Sequence, residues 1–108
     1  MQFSEERTGK FYVLSVSGRL DASTSSNFEE KLTSIIDSGE KNVLINFKEL
    51  DYISSMGLRV LLQAAKKVKL NQGAISLCEM KDNILEVFDI AGFTQVFQIY
   101  KTYNEAVA

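Results

Sequence analysis

The sequence predicts an α/β domain, built as a small, mixed but mostly parallel sheet with helices packed mainly on one face. Three observations lead there. Two strand-like segments near the start of the chain, the second of them apolar, flank Thr8-Gly9-Lys10, a turn-forming triplet, as the arms of an antiparallel hairpin do. Beyond them the apolar pattern switches between helical spacing and short unbroken runs, in the order helix, strand, helix, strand, helix, strand, helix. Finally, 108 residues suffice for one core and leave too little chain for a second, so a single domain over residues 1–108 is expected. Right-handed crossovers between parallel strands lay successive helices on one face, and the loops at the carboxyl ends of the strands then hold the function.

The elements follow in order. Gln2 to Glu6 reads as a first strand, and Phe11 to Ser17, rich in aromatic and β-branched residues, as a second, well-buried one. From Ser26, the residues Phe28, Leu32, Ile35 and Ile36 form one helical stripe, Ser26 and Glu29 have capping-box spacing, and Gly39 ends the helix. Val43 to Phe47 is short and apolar, the mark of a central strand buried on both faces. The second helix carries Leu58, Leu61, Leu62, Ala65, Val68 and Leu70 in its stripe, with Ser54 and Ser55 as candidate N-caps and Asn71-Gln72-Gly73 as its stop. Ala74 to Cys78 is a strand. Asp82 to Ile90 is a helix with Ile84, Leu85, Val87 and Phe88 inward, closed by Gly92, and Val96 to Tyr100 is the last strand. Thr102 and Glu105 again have capping-box spacing and open a fourth helix. The expected core includes Val13, Leu44, Ile45, Leu61, Leu62, Ile75, Leu77, Phe88 and Val96.

Composition removes several function classes. There is no His, so Ser-His-Asp and Cys-His catalysis are excluded, and with a single Cys neither an internal disulfide nor a Cys-only zinc site can form. No metal and no cofactor is expected. Twelve Lys and Arg against fourteen Asp and Glu leave a net charge of −2, which argues against nucleic acid, whose phosphates ask for a basic patch. Apolar runs stop well short of the ~20 residues of a membrane span, and Met1-Gln2-Phe3-Ser4-Glu5-Glu6 lacks the charge order of a signal peptide, so a reducing cytoplasmic compartment is expected. Phosphate-loop, dinucleotide and nucleophile-elbow motifs are absent. Glu29-Glu30 reads as solvated surface, as does the pair Glu49 and Asp51, placed in a strand-to-helix loop; Lys66, Lys67 and Lys69 read as a solvated helix edge, and Cys78 as a buried structural thiol.

The unusual stretch is Leu50-Asp51-Tyr52-Ile53-Ser54-Ser55-Met56-Gly57-Leu58-Arg59. A glycine in the first turn of a helix costs up to ~1 kcal/mol against alanine, and here it follows two hydroxyls where one cap would do. Broken local rules collect at functional sites. If Ser55 is the N-cap, its hydroxyl lies among the free amides of Gly57 and Leu58 at the positive end of the helix dipole, where a phosphate is well solvated. Gly57 would also let the backbone of another protein approach. The plainer alternative, that Ser55 does no more than cap a helix, stands beside this one.

Gly18-Arg19-Leu20-Asp21 after a strand, the strand Val43-Leu44-Ile45-Asn46-Phe47, and then Tyr52-Ile53-Ser54-Ser55-Met56-Gly57-Leu58 together resemble the STAS domain of bacterial anti-sigma factor antagonists. The likeness covers nearly the whole chain, including the Gly73-Ala74 turn, the helix end from Phe88 to Gly92 and the final strand. It implies the STAS fold. In that family the motif is Asp-Ser-small-Gly-Leu, and its Ser is phosphorylated by a serine kinase that is also the anti-sigma factor. Carried onto this chain, the phosphoacceptor is Ser55; Ser54 takes the place of the family Asp, Met56 that of the small residue, and Gly57-Leu58 matches. Asp21, the family's loop Asp, is expected at the same end of the sheet, and Arg59, often a Gly in the family, could pair with a partner's acid or with phosphoserine.

The resemblance thus implies a non-enzymatic regulator whose partner surface comprises Asp21, Ser54, Met56, Gly57, Leu58 and Arg59. Its partner is an anti-sigma factor serine kinase, with a phosphatase acting on phosphorylated Ser55. The competing expectation is a stand-alone STAS scaffold, or a subunit of a signalling or lipid-transport assembly, in which Ser55 is a contact and is never phosphorylated. An enzyme on small molecules or nucleotides has no motif to support it.

Overall fold

The opening hairpin folds as its residues require. In the computed structural model, which describes residues Met1–Ala108, β1 (Gln2–Thr8) and β2 (Phe11–Leu20) pair antiparallel with Thr8 opposite Phe11, leaving Gly9-Lys10 as a two-residue turn. Gly9 has φ +58°, the left-handed value that the first position of a primed hairpin turn needs. Then come α1 (Ser25–Asp37), β3 (Asn42–Ile53), α2 (Ser55–Leu70), β4 (Ala74–Cys78), α3 (Asp82–Ala91), a 3-10 turn at Phe93–Gln95, β5 (Gln98–Tyr100) and α4 (Tyr103–Val107). The sheet runs β1-β2-β3-β4-β5, and every pair after the first is parallel. This is the mixed, mostly parallel sheet that the alternation of elements predicts.

The pleat sorts the strand residues between two cores. Leu14, Val16, Val43, Ile45, Phe47, Ile75 and Leu77 turn to the face covered by α1, α2 and α3, where they pack with Phe28, Leu32, Leu61, Val68, Ile84 and Phe88. Val13, Leu44 and Cys78 turn to the other face, where only α4 covers them, through Ala106. That short helix is held by side chains: Thr102 Oγ1 accepts from Glu105 N–H at 3.1 Å, a Glu79 carboxylate oxygen accepts from Tyr103 N–H at 2.7 Å, and the Tyr103 hydroxyl bonds Thr8 Oγ1 at 2.6 Å. Three helices on one face and a minor one on the other agree with the expected layering.

Several local expectations are corrected. β3 runs on to Ile53, so Glu49 and Asp51 stand on a strand and not in a loop. Its register against β2 slips twice, between Ser15 and Ser17 and again between Gly18 and Arg19, each time with an additional residue on β3. Bulges of this kind break strict alternation, which hides a strand from a period-2 reading. The capping box at Ser26 and Glu29 does not form: α1 begins at Ser25 after Thr24, with no side-chain cap, because the backbone carbonyl of Asp21 already takes the Thr24 and Ser25 amides. Val96 is 49% exposed instead of buried, and Phe97 at 5% takes the core place, because the 3-10 turn re-phases the chain before β5. Leu70, at the very end of α2, is 85% exposed, and Leu62 is half-buried.

Candidate functional site

The site is built where β2 and β3 end side by side. Ser54 N–H donates to the Leu20 carbonyl at 2.8 Å, which ties the end of β3 to the end of β2 and brings the loop that begins at Asp21 beside the start of α2. Ser54 keeps extended geometry (φ −97°, ψ 171°), and its hydroxyl turns back to accept from Gly57 N–H at 3.3 Å. Ser54, not Ser55, is therefore the N-cap. The cap must be the last residue still in strand conformation, and the bond to Leu20 selects Ser54. Ser55 becomes the first helical residue, solvent-exposed, with no hydrogen bond from its hydroxyl to any group of the chain.

Gly57 has an internal reason to be glycine. A Cβ there would sit 2.6 Å from Leu20 Cγ, 2.9 Å from Leu20 Cδ2 and 3.1 Å from Ile53 Cγ1. The residue is buried against the end of β2, which corrects the expectation that it admits another protein's backbone. Leu58 is likewise inward, a member of the main core. The outward residues of this turn are Ser55, Met56 and Arg59, with Met56 45% exposed and Arg59 exposed and free of ion pairs.

On the facing loop, Asp21 is fixed. Its Oδ1 accepts from Ser23 Oγ at 2.7 Å and Ser23 N–H at 3.0 Å, with Thr24 Oγ1 nearby at 3.3 Å. The Ser23 hydroxyl first, then the backbone amides and Thr24, hold its carboxyl below the ordinary carboxylate range, so the charge is present and aimed at neutral pH. Arg19 reaches toward Asp21, Nε to Oδ2 3.8 Å, and lies over the Tyr52 ring at 4.3 Å. At the same end Lys81 pairs with Asp51, and Asn83 donates to the Asp51 carbonyl at 3.2 Å, so the start of α3 joins this surface.

Asp21, Ser54, Ser55, Met56 and Arg59 thus stand on neighbouring connections, while Gly57 and Leu58 serve the packing beneath them. The Arg19–Tyr52 stack was not anticipated from sequence, since only the second bulge brings these two opposite each other. Ser23 had a readable signal, because Asp followed two residues later by Ser is an Asx-turn pattern. Elsewhere, burial first and then Glu79 push the Cys78 thiol up to about 12, which keeps it inert. No group of three or more Cys, Asp or Glu side chains could hold a metal ion. No helix is long and apolar enough to cross a membrane.

Comparison with known proteins follows the same lines. The family model described as STAS domain matches residues 2–106. A Bordetella bronchiseptica protein named as an anti-sigma factor antagonist, BtrV, is 33% identical over 108 residues, which is 100% of this chain and 93% of that one. Among solved structures, a Thermotoga maritima protein described as an anti-sigma factor antagonist superposes with a TM-score of 0.91 at 17% identity, over 96% of this chain and 90% of its own. Bacillus SpoIIAA has been solved both unphosphorylated and phosphorylated. The unphosphorylated form gives a TM-score of 0.82 at 21% identity over 98% and 93% of the two chains, the phosphorylated form 0.75. At these identities the likeness to solved structures is one of fold.

Proposed function

This chain belongs to the STAS domain family, and from that premise we propose that it is a non-enzymatic anti-sigma factor antagonist of the cytoplasm, switched by phosphorylation of Ser55. Unphosphorylated, it binds an anti-sigma factor that is also a serine kinase and so frees a sigma factor. Phosphorylated, it lets go, and a phosphatase restores it. The observation that carries this reading is the division of labour between two adjacent hydroxyls: Ser54 caps α2, and Ser55 is exposed and unengaged, at the end of the sheet where the neighbouring connection fixes the Asp21 carboxylate. The names of the relatives support the antagonist role, and SpoIIAA, with the same fold, is a protein known in a phosphorylated form.

The physics of the switch is local. Phosphate adds about −1.5 to −2 charges at a contact suited to a neutral hydroxyl. Moving a partner from almost fully bound to almost fully free takes about 5.5 kcal/mol of differential affinity, which a desolvated interface charge can supply and a rim charge cannot. Ser54 in place of the family Asp leaves α2 intact, since Ser caps as well as Asp does. What changes is the charge that a kinase meets beside its acceptor. That departure favours one second reading, a STAS scaffold or assembly subunit in which Ser55 is only a contact.

Four proteins separate the two. With the cognate anti-sigma kinase and ATP, wild type gains one phosphate, on Ser55, and loses affinity; Ser55→Ala binds and is not released; Ser55→Asp binds poorly; Ser54→Asp is phosphorylated at an equal or higher rate. No phosphate on Ser55 by mass spectrometry, together with wild-type binding by Ser55→Asp, replaces the switch with the scaffold.

A further inference from the structure

We propose that a phosphate on Ser55 captures Arg59, so that phosphorylation removes a cation from the docking surface at the same time as it adds an anion. The inference rests on the reading of Ser55 as phosphoacceptor and extends it to a residue of this chain that answers the modification. Arg59 stands four residues after Ser55 on α2, one turn along the same side. At that spacing Cβ atoms lie about 5–6 Å apart, within reach of a guanidinium for a phosphate oxygen.

Arg59 has nothing else to pair with. The other cations of this end are engaged, Arg19 with Asp21 and over Tyr52, Lys81 with Asp51. Arg59 makes no ion pair and no side-chain hydrogen bond, and its remaining helix neighbours at three and four residues, Met56, Leu62 and Gln63, carry no charge. An exposed arginine without a carboxylate in its own helix turn is an incomplete pair. Phosphorylation completes it, with the anion N-terminal to the cation, the order that i,i+4 pairs on helices favour. The guanidinium fork can take two phosphate oxygens at once, whereas lysine offers a point charge.

The consequence for a partner is twofold. In the unphosphorylated protein the free guanidinium fits an acidic side chain of the partner. After phosphorylation that acid faces a neutralised arginine and a new negative group.

The test installs phosphoserine at position 55 during translation, with no kinase involved, in wild type, Arg59→Gln and Arg59→Lys. Failure of the pairing is then distinguishable from failure of a kinase to act on Ser55. The expected result is that the Arg59 Nε–H resonance moves downfield on phosphorylation of otherwise wild-type protein. Phosphorylation also raises the thermal midpoint by about 1–4 °C more in wild type than in Arg59→Gln, with Arg59→Lys between them. An Nε–H signal at the same position in both forms, or one phosphate effect shared by all three proteins, overturns the proposal. Arg59 is exposed, so neither substitution disturbs the core.

Discussion

The two strands that lead to the site pass into helices by different means. After β2, four residues intervene, and their polar groups hold one another: Asp21 N–H donates to Thr24 Oγ1 at 2.9 Å, Thr24 Oγ1 donates to the Arg19 carbonyl at 2.8 Å, and Ser23 holds the Asp21 carboxylate. After β3 a single residue, Ser54, does the whole of the work, bonding back to Leu20 and capping forward to Gly57. One connection uses its hydroxyls to aim a charge. The other completes its structure with the first of two serines and leaves the second idle. In the proposed switch, recognition and modification therefore fall on different loops.

Substitutions can break that contrast at its strongest point first. Gly57→Ala pushes a methyl into Leu20, which is fully buried and cannot swing away. Overpacking of about 1–3 kcal/mol, less up to ~1 kcal/mol of gained helix propensity, leaves a net loss of up to about 3 kcal/mol, read as a lower urea midpoint with unchanged slope. Ser54→Ala removes the cap and is expected to cost about 1 kcal/mol, with faster amide exchange confined to the first turn of α2.

Asp21→Asn gives a smaller effect that depends on pH. The folded carboxyl lies below its ordinary 3.8, so its contribution is present above the unfolded value and is lost as pH falls through the folded one. Wild type should therefore lose its advantage over Asp21→Asn as pH falls through the ordinary 3.8 and below it, and equal acid profiles would show that the Ser23 and Thr24 bonds do not bias the charge. Ser55→Ala is expected at the bottom of the scale, within about 0.5 kcal/mol of wild type. A larger loss by urea titration would mean that Ser55 shares the structural work of Ser54, and the contrast between the two loops would fall.

Sequence reading reached the element order because its main signals, the helical stripes of α1 and α2 and the apolar run at Val43 to Phe47, come from burial in one dominant core. It missed what depends on pairing across the chain. The upper half of β3 is a strand because β2 lies beside it, though bulges spoil its period. Ser54 and Ser55 are indistinguishable as caps until the bond from Ser54 to Leu20 is known. Gly57 was legible as an anomaly, and its cause was not, since Leu20 lies thirty-seven positions earlier in the chain. Val96 and Phe97 exchange roles through a turn of three residues that no periodicity announces.

β3 pairs with β4 only over Asn42–Asn46, and from Phe47 to Ile53 its backbone is bound on the β2 side, with Lys81 and Asn83 reaching Asp51 from the other. Mechanically, the stretch that carries Ser55 is a ledge cantilevered from the sheet. In the proposed complex, a load placed on the start of α2 reaches β2 directly through the Ser54–Leu20 bond, beside the path through the packing of α2 in the main core.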